Sequence, residues 1–162
     1  MIIIVLLCLD QSTKATGYSV WKNKNLVAYG VLKSNPKESN PIERMKEQYD
    51  LIKHLISVTN PDFVVFENVQ YQNNFGTFQQ LSQLQGIIMS QLFEKDIGFT
   101  IVESTAWKSY CSVRGRKRAE QKASAIQMVK DKFNIEVLED EADSIGIGIW
   151  AVNNISKKEL DV

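Results

Sequence analysis

The chain has 162 residues, and its 19 basic and 19 acidic side chains leave no net charge at neutral pH, which argues against an indiscriminate binder of polyanions. With 44% hydrophobic and 23% charged residues it is not a disordered chain either; it has the composition and length of one globular domain over residues 1–162. Two distant cysteines, Cys8 and Cys111, without C-x-x-C spacing, exclude a disulfide scaffold and read as reduced thiols of a cytoplasmic protein.

The opening MIIIVLLCLD lacks a basic leader region and ends on Asp10 instead of a small-residue cleavage site. It therefore reads as a buried strand over residues 2–9. No stretch is long and apolar enough to span a bilayer, so no membrane partner is expected. Residues 17–21 and 26–32 flank KNKN, a hairpin loop, and complete an antiparallel meander. NPIERMKEQYDLIKHLISV repeats Ile42, Met45, Tyr49, Ile52 and Ile56 at helical spacing behind an Asn40 cap and Pro41, and Asn60-Pro61 ends it. DFVVFE is the next buried strand, ending on Glu67. A helix over 77–94 and a fifth strand, GFTIVE, follow. Then comes a helix over 117–133, whose apolar positions are Ala119, Ala123, Ile126, Val129 and Phe133, and a last helix over 140–154. This order predicts an α/β fold: a five-stranded mixed sheet, an antiparallel meander plus parallel strands, flanked by helices.

Four carboxylates carry the chemistry. Asp10 ends the first strand and Glu67 the fourth. If these strands are parallel neighbours, both acids lie at the carboxyl edge of the sheet, where open α/β sheets bind ligands. Asp140 and Asp143 share a helix face that Ile147 and Trp150 continue towards the sheet. Taken singly, each has an ordinary explanation: a turn former, a solvated strand end, a cap, a partner for the helix dipole. Caps and turns have no reason to converge, however, and two carboxylates ~4 Å apart cost on the order of 4 kcal/mol at an effective dielectric of about 20. Hard cations remove that cost. His54, the one histidine, lies off the apolar stripe of its helix, and no His or Cys cluster competes. Oxygen-only ligands then select Mg²⁺, with Mn²⁺ as a substitute, and predict phosphodiester hydrolysis at a two-metal centre.

Charge is segregated along the chain. From Lys108 to Lys132 there are eight basic residues against Glu120 and Asp131. Within this stretch RGRKRAEQK reads as a phosphate clamp, with Arg114, Arg116, Lys117, Arg118 and Lys122 around a permissive Gly115; a solvated loop is the alternative. Residues 54–94 contain no Lys or Arg. A helix carrying Gln79, Gln80, Gln83 and Gln85 beside Phe75, Phe78, Leu81 and Leu84 is poor at facing open water. Cover by a second subunit is preferred here over burial within one chain.

LDQSTKATGYSV, VVFENVQ and DEADSIGIGIWA, in that order, resemble the three acidic motifs of RuvC-type Holliday-junction resolvases, members of the RNase H-like nuclease superfamily. WKSYCSVRGRKRAEQKASAIQMV is similar to the Lys, Gly-x-x and Ala-Glu-Lys stretch of that family, and the resemblance covers nearly the whole chain. It implies an RNase H-like fold in which Asp10, Glu67, Asp140 and Asp143 bind metal while Lys108 and Lys122 hold DNA phosphates, Lys122 stabilising charge in catalysis. It further implies a homodimer, in the cytoplasm of a bacterial or phage-infected cell, that nicks opposite strands of a four-way junction; no branch-migration motor is assigned. Ser144 stands where the family usually has Ala. Gly146 and Gly148 interrupt the last helix, at roughly 1 kcal/mol each against Ala, and are expected to allow close packing on the sheet. The aromatic that the family places after its second motif is Gln70 here, leaving Tyr71 or Phe75 to wedge into the junction. A nuclease for forks, flaps or RNA–DNA hybrids and an inactive junction-binding protein are the alternative functions. A reading of LDQSTKATGYS as the phosphate loop of an actin-like ATPase needs two such domains, for which the chain is too short.

Overall fold

The apolar runs form strands β1 (Val5–Asp10), β2 (Ala15–Lys22), β3 (Asn25–Lys33), β4 (Phe63–Glu67) and β5 (Gly98–Val102), hydrogen-bonded in the order β3-β2-β1-β4-β5. The structure is a computed structural model that describes residues 3–160, apart from the side chains of Lys157 and Lys158. Ile2, expected to open the first strand, and the ends of the 1–162 span lie outside the described residues. The β1–β2–β3 meander is antiparallel, and β1, β4 and β5 run parallel. Asn23 and Lys24 turn the first hairpin with φ of 49° and 70°, the left-handed pair that a two-residue type I′ turn requires.

The helices are α1 (Pro41–Thr59), α2 (Phe75–Glu94), α3 (Ser104–Tyr110), α4 (Arg118–Phe133), α5 (Glu139–Asn154) and α6 (Lys157–Leu160). Asn40 caps α1 by accepting from the Ile42 N–H at 2.9 Å, and Asn60 ends it in the left-handed conformation. Side chains alternate across β1. Leu7 and Leu9 pack with Val64, Phe66 and the α1 and α2 residues Ile52, Ile56, Leu84 and Ile88. Leu6 and Cys8 face the opposite layer, with Val65, Trp21, Trp107 and the α5 residues Ile145 and Ile147. Both faces of the central strands are therefore buried, as continuous apolar runs require.

Three expectations about faces and elements are corrected. Ile42 belongs to the predicted stripe of α1 but is 61% exposed, because the helix begins beyond the edge of its core. Ala119 and Ala123 are exposed as well: α4 packs through Ala125 and Val129, with Ile126 and Phe133 partly buried beside them. Alanine is small enough to sit on either side of a helix, so it does not fix the face. Helix α3 was not anticipated at all, being too short to show a period.

Helix α5 is enclosed on almost every side. From Ala142 to Ile149 every residue except Asp143 is buried. Close approach depends on glycine. A Cβ at Gly148 would fall 2.1 Å from the Trp21 Nε1, and one at Gly146 would fall 2.4 Å from the Trp107 Cζ3. Both glycines thus allow close packing as expected, with indole rings as the partners. Ser144 is satisfied inside this layer: its hydroxyl donates to the Glu141 carbonyl at 2.8 Å, and its carbonyl accepts from the Ser19 hydroxyl at 2.7 Å.

Candidate active site

The register of β1 on β4 pairs Leu9 with Phe66, so the next residues, Asp10 and Glu67, emerge side by side at the carboxyl edge. Asp10 is opposite Gly17 on its other flank. A Cβ at Gly17 would lie 1.9 Å from the Asp140 backbone carbonyl. Glycine at 17 is therefore what lets the first turn of α5 settle on β2 and deliver Asp140 and Asp143 to Asp10. The segment after Asp10 is held from the far face of the sheet, where buried Gln48 accepts from the Thr16 hydroxyl at 2.8 Å and donates to the Leu32 carbonyl at 2.9 Å. Asp140 is not the helix cap: α5 is capped at Leu138, whose N–H donates to Glu141 at 2.9 Å.

The electrostatics match this crowding. The Asp10 carboxyl is pushed well above the carboxylate range by burial, then by the charges of Asp143, Glu67 and Asp140, with Lys122 opposing. Asp143 is raised to about 7 by burial and then by Glu67, against the pull of Lys108 and Lys122. Burial also raises Glu67, although its bond to Trp107 and the Lys108 charge draw it down. Asp140 is raised by burial and drawn back chiefly by Lys122, then by Arg118 and Lys33. All four carboxyls are thus held above the ordinary carboxylate range, burial leading in each case, even with lysines beside them. The donors are oxygens only, which suits a hard divalent cation. Among the described residues no three acidic, His or Cys side chains close on a common metal-binding point. Carboxylates in small number are the protein donors that Mg²⁺ takes beside waters and phosphate oxygens.

The two predicted lysines flank the acids. Lys122 pairs with Glu139 at 2.6 Å, and Lys108 donates to Gln121 at 3.2 Å while lying 5.7 Å from the centre of the Trp107 ring. Arg114, Arg116, Lys117 and Arg118 are exposed around Gly115, whose φ is +143°. That loop is ordered by Glu120 accepting from the Arg116 N–H at 2.8 Å and by Gln121 donating to the Gly115 carbonyl at 3.1 Å. Tyr71 and Phe75 lie in the exposed segment after Glu67, 60% and 66% exposed, with Tyr71 edge-on to Phe78. Neither belongs to the acid cluster.

Two residues escaped the sequence reading. Lys33 ends β3 opposite Ala15, on the same sheet face as Gly17 and hence as α5, and its charge reaches Asp140. Its signal, a lysine at a strand end, is visible only once the strand order is known. Trp107, fully buried, donates its indole N–H to Glu67 Oε2 at 2.8 Å.

The family model of the crossover junction endodeoxyribonuclease RuvC matches residues 6–150. The chain belongs to the RuvC family. The RuvC protein of Alkaliphilus metalliredigens is 30% identical over 155 residues, 90% of this chain and 91% of that one. RuvC of Fusobacterium nucleatum is 28% identical over 158 residues, 93% of this chain and 80% of that one. Among solved structures, Thermus thermophilus RuvC in complex with Holliday junction substrate superposes with a TM-score of 0.72 at 15% identity, covering 91% of each chain. The yeast mitochondrial Holliday junction resolvase Ydc2 gives 0.60 at 16% identity, over 96% of this chain and 80% of that one. At such identities the likeness is one of fold, and it bears out the RNase H-like mixed sheet. Among the described residues no helix is long and apolar enough to cross a membrane.

Proposed function

We propose that residues 1–162 form a single nuclease domain that resolves four-way DNA junctions by paired phosphodiester hydrolysis. The observation that carries this reading is the meeting of Asp10, Glu67, Asp140 and Asp143 at one sheet edge in a chain of the RuvC family. Their oxygens would hold two Mg²⁺ ions, or Mn²⁺ in substitution. When bound, the ions supply activation of the attacking water and neutralisation of the charge on the scissile phosphate. Asp10, with an acid on either flank, would be one of the ligands. Lys122 exchanges its exposed partner Glu139 for the phosphate, and Lys108 braces the same group. Arg114, Arg116, Lys117 and Arg118 grip the backbone on the α4 side while Lys33 grips it on the β3 side. Tyr71 and Phe75 offer exposed rings for stacking on bases at the branch point. The uncharged outer face of α2 pairs two copies, so that two sites act on opposite strands in the cytoplasm.

The experiment is a comparison of binding and cutting by Asp10→Asn and Asp143→Asn on a synthetic four-way junction. Both variants retain junction binding and lose cleavage to below about one per cent of the parent rate, as removal of an essential metal ligand requires. Appreciable residual cutting, or loss of binding in step with loss of cutting, contradicts the assignment.

A further inference from the structure

Glu67 is held at both of its ends. Gln11 Nε2 donates to its carbonyl at 2.6 Å, and the Trp107 indole N–H donates to its Oε2 at 2.8 Å. Trp107 has no solvent exposure. A buried indole N–H needs a partner and a partly buried carboxylate gains from a donor, so each group answers the other's demand, with the Ser104 side chain as a second partner of Glu67. The ring reaches this position only because residue 146 is glycine: a Cβ there would fall 2.4 Å and 2.7 Å from ring carbons Cζ3 and Cε3. Gly146 lies one helical turn beyond Asp143. The ring therefore rests on the helix that carries Asp143, while its N–H holds the acid on β4.

Resting on the metal-nuclease reading above, we propose that Trp107 is a positioning residue of the cation site. Its N–H fixes the Oε2 end of Glu67, so that the carboxylate would be held in place as one of the acids that take the cation, with Gly146 as the seat of the ring. Groups that orient a ligating carboxylate from behind are worth about 10–100-fold in metal affinity or activity. The second large ring against α5 provides a contrast. Trp21 abuts Gly148 in the same way, but its N–H donates to the Ser19 hydroxyl at 2.9 Å and touches no acid of the site.

The test uses the full chain and Mn²⁺ as the probe. Trp107→Phe keeps the aromatic bulk and deletes the donor; Trp21→Phe does the same in the other ring. Mn²⁺ binding to the free protein, read from the resonance signal of the unbound ion, weakens about ten-fold or more in Trp107→Phe and is unchanged in Trp21→Phe. The maximal cleavage rate on a four-way junction falls in Trp107→Phe at an unchanged KM for DNA. Because Trp107 acts through Glu67, the loss of Mn²⁺ affinity disappears when both proteins also carry Glu67→Gln. In the unmutated protein, Mg²⁺ titration shifts the indole proton resonance of Trp107 and leaves that of Trp21 in place, which tests the idea even if the Phe variant fails to fold. Equal Mn²⁺ affinity in Trp107→Phe and the parent, equal losses in both Phe variants, or a stationary Trp107 resonance overturns the inference. A parent protein that neither binds the ion nor cuts overturns the site reading on which it rests.

Discussion

Asp143 carries a cost that a bound cation would relieve. Its ordinary value of 3.8 is raised to about 7 in the folded protein, first by burial and then by Glu67. Between those two values the folded chain keeps a proton that the unfolded chain has lost. Its contribution is therefore fully present below 3.8 and is lost as pH rises through about 7. In EDTA, Asp143→Asn should match the parent in melting temperature at the acid end and gain on it progressively as pH rises through this window. Saturating Mg²⁺ should raise the melting temperature of the parent and narrow that gap. Calorimetry across pH checks both statements, and a gap that stays constant or shrinks with pH contradicts them. The four acids were legible in the sequence because each ends a strand or opens a helix whose apolar pattern is clear. Trp107 was not, since nothing in STAWKSY signals that an indole is buried behind an acid 40 residues earlier. Lys33 was hidden for the related reason that its neighbour Asp140 is brought to it only by the antiparallel return of β3.

Helix α5 acts as the plate that brings two of the acids to the other two, and its distance from the sheet is set by side chains that are missing. Gly17→Ala would place a methyl 1.9 Å from the Asp140 carbonyl, and that contact is with backbone, which cannot swing aside. We expect a loss of ~1–3 kcal/mol by urea unfolding, as for overpacked cores, together with a sharp fall in cleavage. Gly86→Ala, in α2 with nothing within 4 Å of the new methyl, should instead gain up to ~1 kcal/mol from helix propensity. Equal stability of the two variants would contradict the close fit of α5. The glycines of α5 were read correctly as packing residues, but their partners, two indoles from β2 and α3, could not be named before the layers were known. The helix-length patterns located α1, α2, α4 and α5 to within about two residues, the usual uncertainty of helix ends; the face of α4 went astray on two alanines. On the β3 side, Lys33→Ala should lower the slope of log affinity against log salt by about 0.9, the value of one phosphate contact. Junction binding titrated over a series of salt concentrations in EDTA reads that slope, and an unchanged slope removes Lys33 from the interface.

At the scale of the whole molecule, the segregation of charge gives each face its task. Basic residues frame the acid cluster, whereas the outward side of α2 presents Gln79, Ser82, Gln83 and Gly86, all exposed, between Phe75 and Phe93, also exposed. An uncharged surface with aromatic ends is suited to a two-fold contact with its own copy. Gln83→Lys sets two like charges near the axis of such a pair and should halve the mass seen by light scattering; an unchanged mass would remove α2 from the contact. Pairing matters because a junction is resolved only when two strands are cut in concert, and Gln70, standing where an aromatic is expected, bears on whether junctions are preferred to other branches. The most direct measurement is therefore cleavage of a mobile four-way junction beside a matched Y-fork and a linear duplex, each with Mg²⁺ and with EDTA. Symmetric paired nicks should appear in the junction alone and be abolished by EDTA. Equal cutting of fork and junction, or cutting that persists in EDTA, would contradict that function.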